Sequence, residues 1–203
     1  MRSVISALCA AILLAGCIGN PSRQADVAIH DLGNLSGAWS APGLPVGGLA
    51  VRASSWLDAP AQLYRLDYAD PLRRHAYANS RWAAPPAELL ERALQRHVVF
   101  GQPDFAGRGC RLALVLDTLE QRFSSERASE VVLEVRARLL PSHGDGPLAR
   151  RAFAVRRPAP TPDARGGVAA TQAAAQALAD EMARWLAAFA REKPQAAVFC
   201  RAE

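Results

Sequence analysis

The chain has 203 residues, a formal charge of +5 and 50% hydrophobic content, which suits one domain around one core and leaves no need for a second. Its basic charge is almost entirely arginine, with Lys193 the one lysine, and the arginines are spread along the chain, as at Arg73-Arg74, Arg150-Arg151 and Arg156-Arg157. That spread lacks the basic clusters interleaved with aromatics of a nucleic-acid binder, so no nucleic-acid partner is expected, and mild attraction to anionic headgroups is what remains.

At the start, Met1 and Arg2 precede an apolar stretch from Val4 to Leu14 that closes on Leu14-Ala15-Gly16-Cys17. A charged n-region, an h-region and a small-residue cleavage site make a secretory leader. Eleven such positions span about 16 Å as a helix, half of a ~30 Å hydrocarbon core, which argues against a permanent transmembrane anchor. The four residues ending in Cys17 resemble the lipobox of bacterial lipoproteins, in which the thiol receives diacylglycerol before cleavage in front of it. An ordinary leader with an incidental cysteine is the other reading. We therefore expect residues 1–16 to be a signal peptide, Cys17 the lipid attachment site, 17–26 a lipidated tether and 27–203 the folded domain. The tether can reach at most about 30 Å. Cys9 leaves with the leader, so Cys110 and Cys200 remain, and an oxidising periplasm permits them to pair. Such a bridge is worth roughly 4 kcal/mol in the chain-entropy model; two separate buried thiols are the alternative.

Strands are expected at Val27 to Leu32, Leu49 to Trp56 and Gln62 to Tyr68, the last two separated by a turn at Asp58-Ala59-Pro60, with a short strand near His75 to Asn79. Pro85-Pro86 opens a helix whose Leu89, Leu90, Ala93, Leu94, His97 and Val98 share one face. A loop at Gly101 to Gly109 leads to an alternating strand through Leu112, Leu114 and Leu116, whose apolar phase then shifts to Leu119 and Phe123. The shift predicts a bulge near Asp117-Thr118. Val131, Leu133, Val135, Ala137 and Leu139 oppose Glu134, Arg136 and Arg138, a half-solvated antiparallel strand. After the turn at Gly144-Asp145-Gly146, Leu148 to Arg156 is its return strand. Pro158, Pro160 and Pro162 end the sheet, and an alanine-rich helix from about Gly167 to Arg191 keeps an apolar stripe that ends in Trp185, Leu186 and Phe189, a stripe that suits core or a lipid groove. The fold class is α+β: an antiparallel or mixed sheet packed by two main helices in a single domain.

No enzyme is expected. A hydrolase would need a nucleophile with an oriented base, and no Gly-x-Ser-x-Gly occurs. His30, His75, His97 and His143 stand apart with no neighbour at metal-ligand spacing, so no metal, cofactor or catalytic residue is assigned.

Tyr64-Arg65-Leu66-Asp67-Tyr68, then Tyr77-Ala78-Asn79-Ser80-Arg81-Trp82 running into Pro85-Pro86-Ala87-Glu88-Leu89-Leu90, resemble the ABC-type transport auxiliary lipoproteins, the PqiC-like components of MCE transport systems. Asp31-Leu32-Gly33, Ser55-Trp56-Leu57-Asp58, Leu116 to Phe123 and Gly166-Gly167-Val168-Ala169-Ala170 with Trp185-Leu186 fit the same pattern. The resemblance implies an outer-membrane lipoprotein, lipid-anchored on the periplasmic face, that docks with an MCE-domain periplasmic bridge protein and its ABC permease and ATPase to move phospholipid or other hydrophobic molecules. By the rule of the lipoprotein class, aspartate after the lipidated cysteine favours inner-membrane retention, and here that position is Ile18. Tyr64, Tyr77 and Trp82 fall in the most recognisable block, where a partner surface and sheet packing explain them alike; homo-oligomerisation is left open. A structural outer-membrane lipoprotein without a transport partner is the second function class, and a periplasmic carrier of hydrophobic ligands the third.

Overall fold

The computed structural model describes residues 26–39, 44–97, 109–144 and 146–200. Cys17, the leader, most of the tether, Val98 and nearly all of the Gly101 to Gly109 loop lie outside them. The strands are β1 (Ala28–His30), β2 (Val46–Ala53), β3 (Ala61–Leu66), β4 (Asp70–Trp82), β5 (Cys110–Ser125), β6 (Ala128–Leu140) and β7 (Ala149–Pro158). The helices are α1 (Pro86–His97) and α2 (Ala164–Glu192), with 3-10 turns at Ser55–Leu57 and Pro194–Cys200. The strands make one mixed seven-stranded sheet in the order β1-β4-β3-β5-β6-β7, with β2 also on β5.

The long strand β5 organises the sheet. One edge pairs antiparallel with β6 throughout; the other is shared, parallel, by β2 along Cys110 to Leu116 and by β3 along Gln121 to Phe123. Between those two partners the β5–β6 register shifts at Leu116/Thr118, the expected bulge. It restores the inward phase, so that Leu112, Leu114 and Leu116 before it and Leu119, Gln121 and Phe123 after it are all buried.

Both helices cover one face. The inward row of β6, from Val131 to Leu139, meets Ala174, Leu178, Met182 and Leu186 of α2, all in one core. Trp185 stands edge-on to Phe153, ring centroids 5.8 Å apart, so the end of the α2 stripe is core. On α1, Leu89, Leu90, Ala93 and Leu94 are buried, and two polar neighbours close the free edge of β2: Glu91 Oε2 accepts from Val51 N at 2.7 Å and Gln95 Nε2 donates to the Leu49 carbonyl at 3.0 Å. Bonding an edge with helix side chains removes a row of open backbone groups.

Five expected strands change bounds: β3 ends at Leu66 rather than Tyr68, β7 runs from Ala149 to Pro158 rather than from Leu148 to Arg156, and three others differ more. The one near His75 to Asn79 is the 13-residue β4, whose first five residues are exposed and so carry no alternating apolar signal. The first strand stops at His30 because Asp31 Oδ1 accepts from Gly33 N, a local turn completed by a positive φ at Gly33. β2 begins at Val46, paired with Cys110, and ends at Ala53 ahead of the 3-10 turn.

Candidate functional site

Some of the residues that carry the resemblance, Tyr64, Tyr77, Gln121 and Gly166-Gly167, meet where α2 begins. Asp163 is its N-cap, accepting from Gly166 N at 2.7 Å and from Thr161 Oγ1 at 2.8 Å. Both bonds, the backbone one foremost, hold its carboxyl below the usual aspartate range. Beneath this first turn lie two buried amides. Gln121 of β5 accepts from the Tyr77 hydroxyl at 3.0 Å and donates to Ser129 Oγ at 2.8 Å and the Asp163 carbonyl at 3.2 Å. Gln62 of β3 donates to the Ala164 carbonyl at 2.7 Å and accepts from Ser80 Oγ at 2.6 Å. Gly167 sits on top, and any side chain there would overlap Gln121 Oε1. Residues of four strands, β3, β4, β5 and β6, are thus tied together at one helix end by hydrogen-bonded polar groups, an arrangement that fixes geometry.

Tyr64 fills the space beside this tie. Its ring lies 4.5 Å from Tyr77, 5.0 Å from His75 and 5.9 Å from Phe123. Burial above all, with Tyr64 and Asp163 adding to it, raises the Tyr77 hydroxyl far above its ordinary value of 10.0, so it stays a donor. Of the three aromatics singled out in the sequence, Tyr64 and Tyr77 are half-buried in this cluster and Trp82 is core, 4% exposed. Trp82 is not beside the other two in the cluster; its backbone N–H donates to Pro60 O.

On the opposite, helix-free face the charges are ordered. Glu120, buried beneath the side chains of that face, holds Arg65 and Arg74 at 3.1 and 3.0 Å, and Arg74 lies 3.8 Å over the Trp56 ring. Asp67 holds Arg122, Asp117 at the bulge holds Arg136, and Glu130 holds Arg156. Two exposed apolar side chains, which the sequence pattern does not reveal, lie at the β3–β4 turn: Tyr68 is 47% and Leu72 90% exposed.

Cys110 and Cys200 are joined by a disulfide with Cα atoms 4.5 Å apart. It pins the last 3-10 turn to the start of β5, aided by Ser142, whose N–H and Oγ both donate to the Phe199 carbonyl. Among the described residues no group of His, Cys, Asp and Glu could hold a metal ion, no helix is long and apolar enough to cross a membrane, and His97 Nδ1 is the one buried side-chain polar atom without a hydrogen bond.

Comparison with known proteins gives a consistent picture. The family model for the ABC-type transport auxiliary lipoprotein component matches residues 49–183, from β2 through most of α2. A crystal structure of a Xanthomonas campestris protein of the DUF330 family, 21% identical, superposes with a TM-score of 0.63 over 84% of this chain and 97% of that one. A crystal structure of an uncharacterized protein, 16% identical, gives 0.52 over 82% and 98%. At these identities the likeness is one of fold. No curated protein matches the chain.

Proposed function

The chain belongs to the ABC-type transport auxiliary lipoprotein component family, and from that premise we propose that it is the outer-membrane docking subunit of an ABC–MCE system that moves lipid or other hydrophobic molecules between membranes. Lipid on Cys17 holds it on the periplasmic face, residues 1–16 are removed as a signal peptide, and residues 17–26 tether the domain. The domain binds the MCE-domain bridge protein, while the ATPase and permease supply energy and passage. The observation that carries this reading is the family match across the folded domain. It is supported by Leu14-Ala15-Gly16-Cys17 at the end of an apolar leader and by Ile18 rather than aspartate after the cysteine. A lipobox cysteine carries three acyl chains, and each buried methylene contributes about 0.8 kcal/mol, so the anchor is effectively permanent.

Affinity purification of the full chain from crosslinked native membranes tests the reading. Recovery of an MCE-domain protein with its permease and ATPase is the expected result, matched by genes for those components beside this one. Correctly lipidated, folded bait that recovers none of them would favour a structural outer-membrane lipoprotein instead.

A further inference from the structure

The helix-free face of the sheet divides into two electrical halves. Around β3, β4 and the far half of β5, Arg65, Arg74 and Arg122 each have a carboxylate. Toward the other end of the sheet the cross-strand rows read Ala50-Ala113-Arg138-Arg150 and Arg52-Val115-Arg136-Ala152 through β2, β5, β6 and β7. Arg136 is held by Asp117 in a two-bond fork, at 2.6 and 2.7 Å. Arg138 and Arg150 face each other directly across the strand pair, and among the described residues neither has a carboxylate in reach, nor have Arg52 and Arg111 at the rim. Like charges set opposite in an antiparallel pair, with Cβ atoms about 4.5–5.5 Å apart, repel each other. Val115 and Ala152 leave between these arginines a hollow of about 490 Å³, lined also by Arg136, Arg138 and Arg150 and bordered by Ala137 and Arg151, whose side chains belong to the other face. That volume lies in the range of ligand sites.

We propose that this hollow binds a phosphate group, gripped between the Arg138 and Arg150 guanidinium groups, with the small apolar floor receiving the body that carries it. Two planar forks on neighbouring strands match the oxygens of a phosphate monoester or diester, and the bond strengthens because both partners are charged. An anion there also removes the repulsion between the two arginines. A lipid headgroup and a free phosphate both present this chemistry. The inference does not rest on the docking role, since binding can be read without any transport partner.

The test is calorimetric titration of the full chain in maltoside detergent, which carries no phosphate, using inorganic phosphate in one arm and short-chain dihexanoyl-phosphatidylglycerol in the other. The R138Q/R150Q double variant should bind at least about tenfold more weakly in whichever arm the parent binds. An R127Q/R184Q variant loses the same two charges from exposed positions elsewhere and should bind like the parent. Because all the replaced side chains are exposed, folding is expected to survive, and equal far-UV circular dichroism checks it. Binding in both arms identifies the phosphate group as sufficient; binding of the lipid alone identifies a headgroup as the source. No binding in either arm, or equal losses in the two double variants, would overturn the proposal.

Discussion

Replacing Gly167 with alanine asks whether the polar tie beneath α2 is what holds that helix to β3, β4 and β5. A Cβ at this position would overlap Gln121 Oε1 and stand 2.9 Å from its Cδ and 3.0 Å from Gln62 Nε2. In an unconstrained helix alanine is favoured over glycine by about 0.8–1.0 kcal/mol, so propensity alone predicts a more stable protein. Here Gln121 can yield only by loosening its bonds to Tyr77, Ser129 and the Asp163 carbonyl. Each buried polar group left unpaired costs about 1–3 kcal/mol. With two groups stranded and the propensity gain subtracted, the expected net loss is about 1–5 kcal/mol. For a domain of this size that is a fall in Tm of roughly 2–20 °C. Urea and thermal unfolding of parent and variant in the same detergent, followed by far-UV circular dichroism, measure it. In a Gln121→Ala background the glycine change should cost less than about 1 kcal/mol, since the overlapping atom is gone. A Gly167→Ala protein as stable as the parent, or more so, would refute the reasoning.

The Cys17→Ala protein should carry no lipid; metabolic labelling with a fatty-acid analogue that still marks it would end the lipoprotein reading. Replacing Cys110 and Cys200 by serine should lower stability by about 2–5 kcal/mol and speed hydrogen exchange through Pro194–Cys200 while leaving β6 protected; unchanged exchange in the tail would show that the bridge does not hold it. The Tyr77 hydroxyl has its folded-state pKa raised above 10.0, so its contribution is complete below that value and declines as pH rises past it toward the folded value, because the unfolded chain loses its proton first. Stability measured across that alkaline range should fall less steeply for Tyr77→Phe, and identical slopes would count against the hydroxyl's role.

The elements legible in the sequence are those whose burial leaves a period. The bulge in β5 could be read because the apolar phase slips from Leu116 to Leu119, and β6 because Val131 to Leu139 alternate against charges. β4 is longer than its pattern for the converse reason: its first residues, Asp70 to Arg74, are exposed, so their pairing with β3 is made by backbone that no side-chain pattern reports. The α2 helix begins earlier than its apolar stripe, since Asp163 as cap and the helical Ala164 and Arg165 carry none of that stripe. The resemblance could gather Tyr77, Gln121 and Gly166-Gly167 into one pattern, but that they touch is a matter of tertiary register. Nor does any local spacing reveal that Arg138 faces Arg150, or that Tyr68 and Leu72 are exposed together, since both depend on which strands turn back beside each other.

The direction of the first strand has a consequence for how the molecule stands. β1 runs parallel to β4, with Ala28 beside Ser80, so Asp26 and Val27 lead into the strand from the side of the Asp70 end of β4, where Tyr68 and Leu72 lie. The stretch from Asp70 to Ser80 is about 34 Å of strand, close to the reach of about 30 Å available to the residues between Cys17 and Asp26. Were the proposed anchor at Cys17 to hold the domain from that end, the long axis of the sheet would stand upright with the β3–β4 turn toward the bilayer. The hollow at Arg138 and Arg150, which lies at the opposite end of the sheet, would then face away from it.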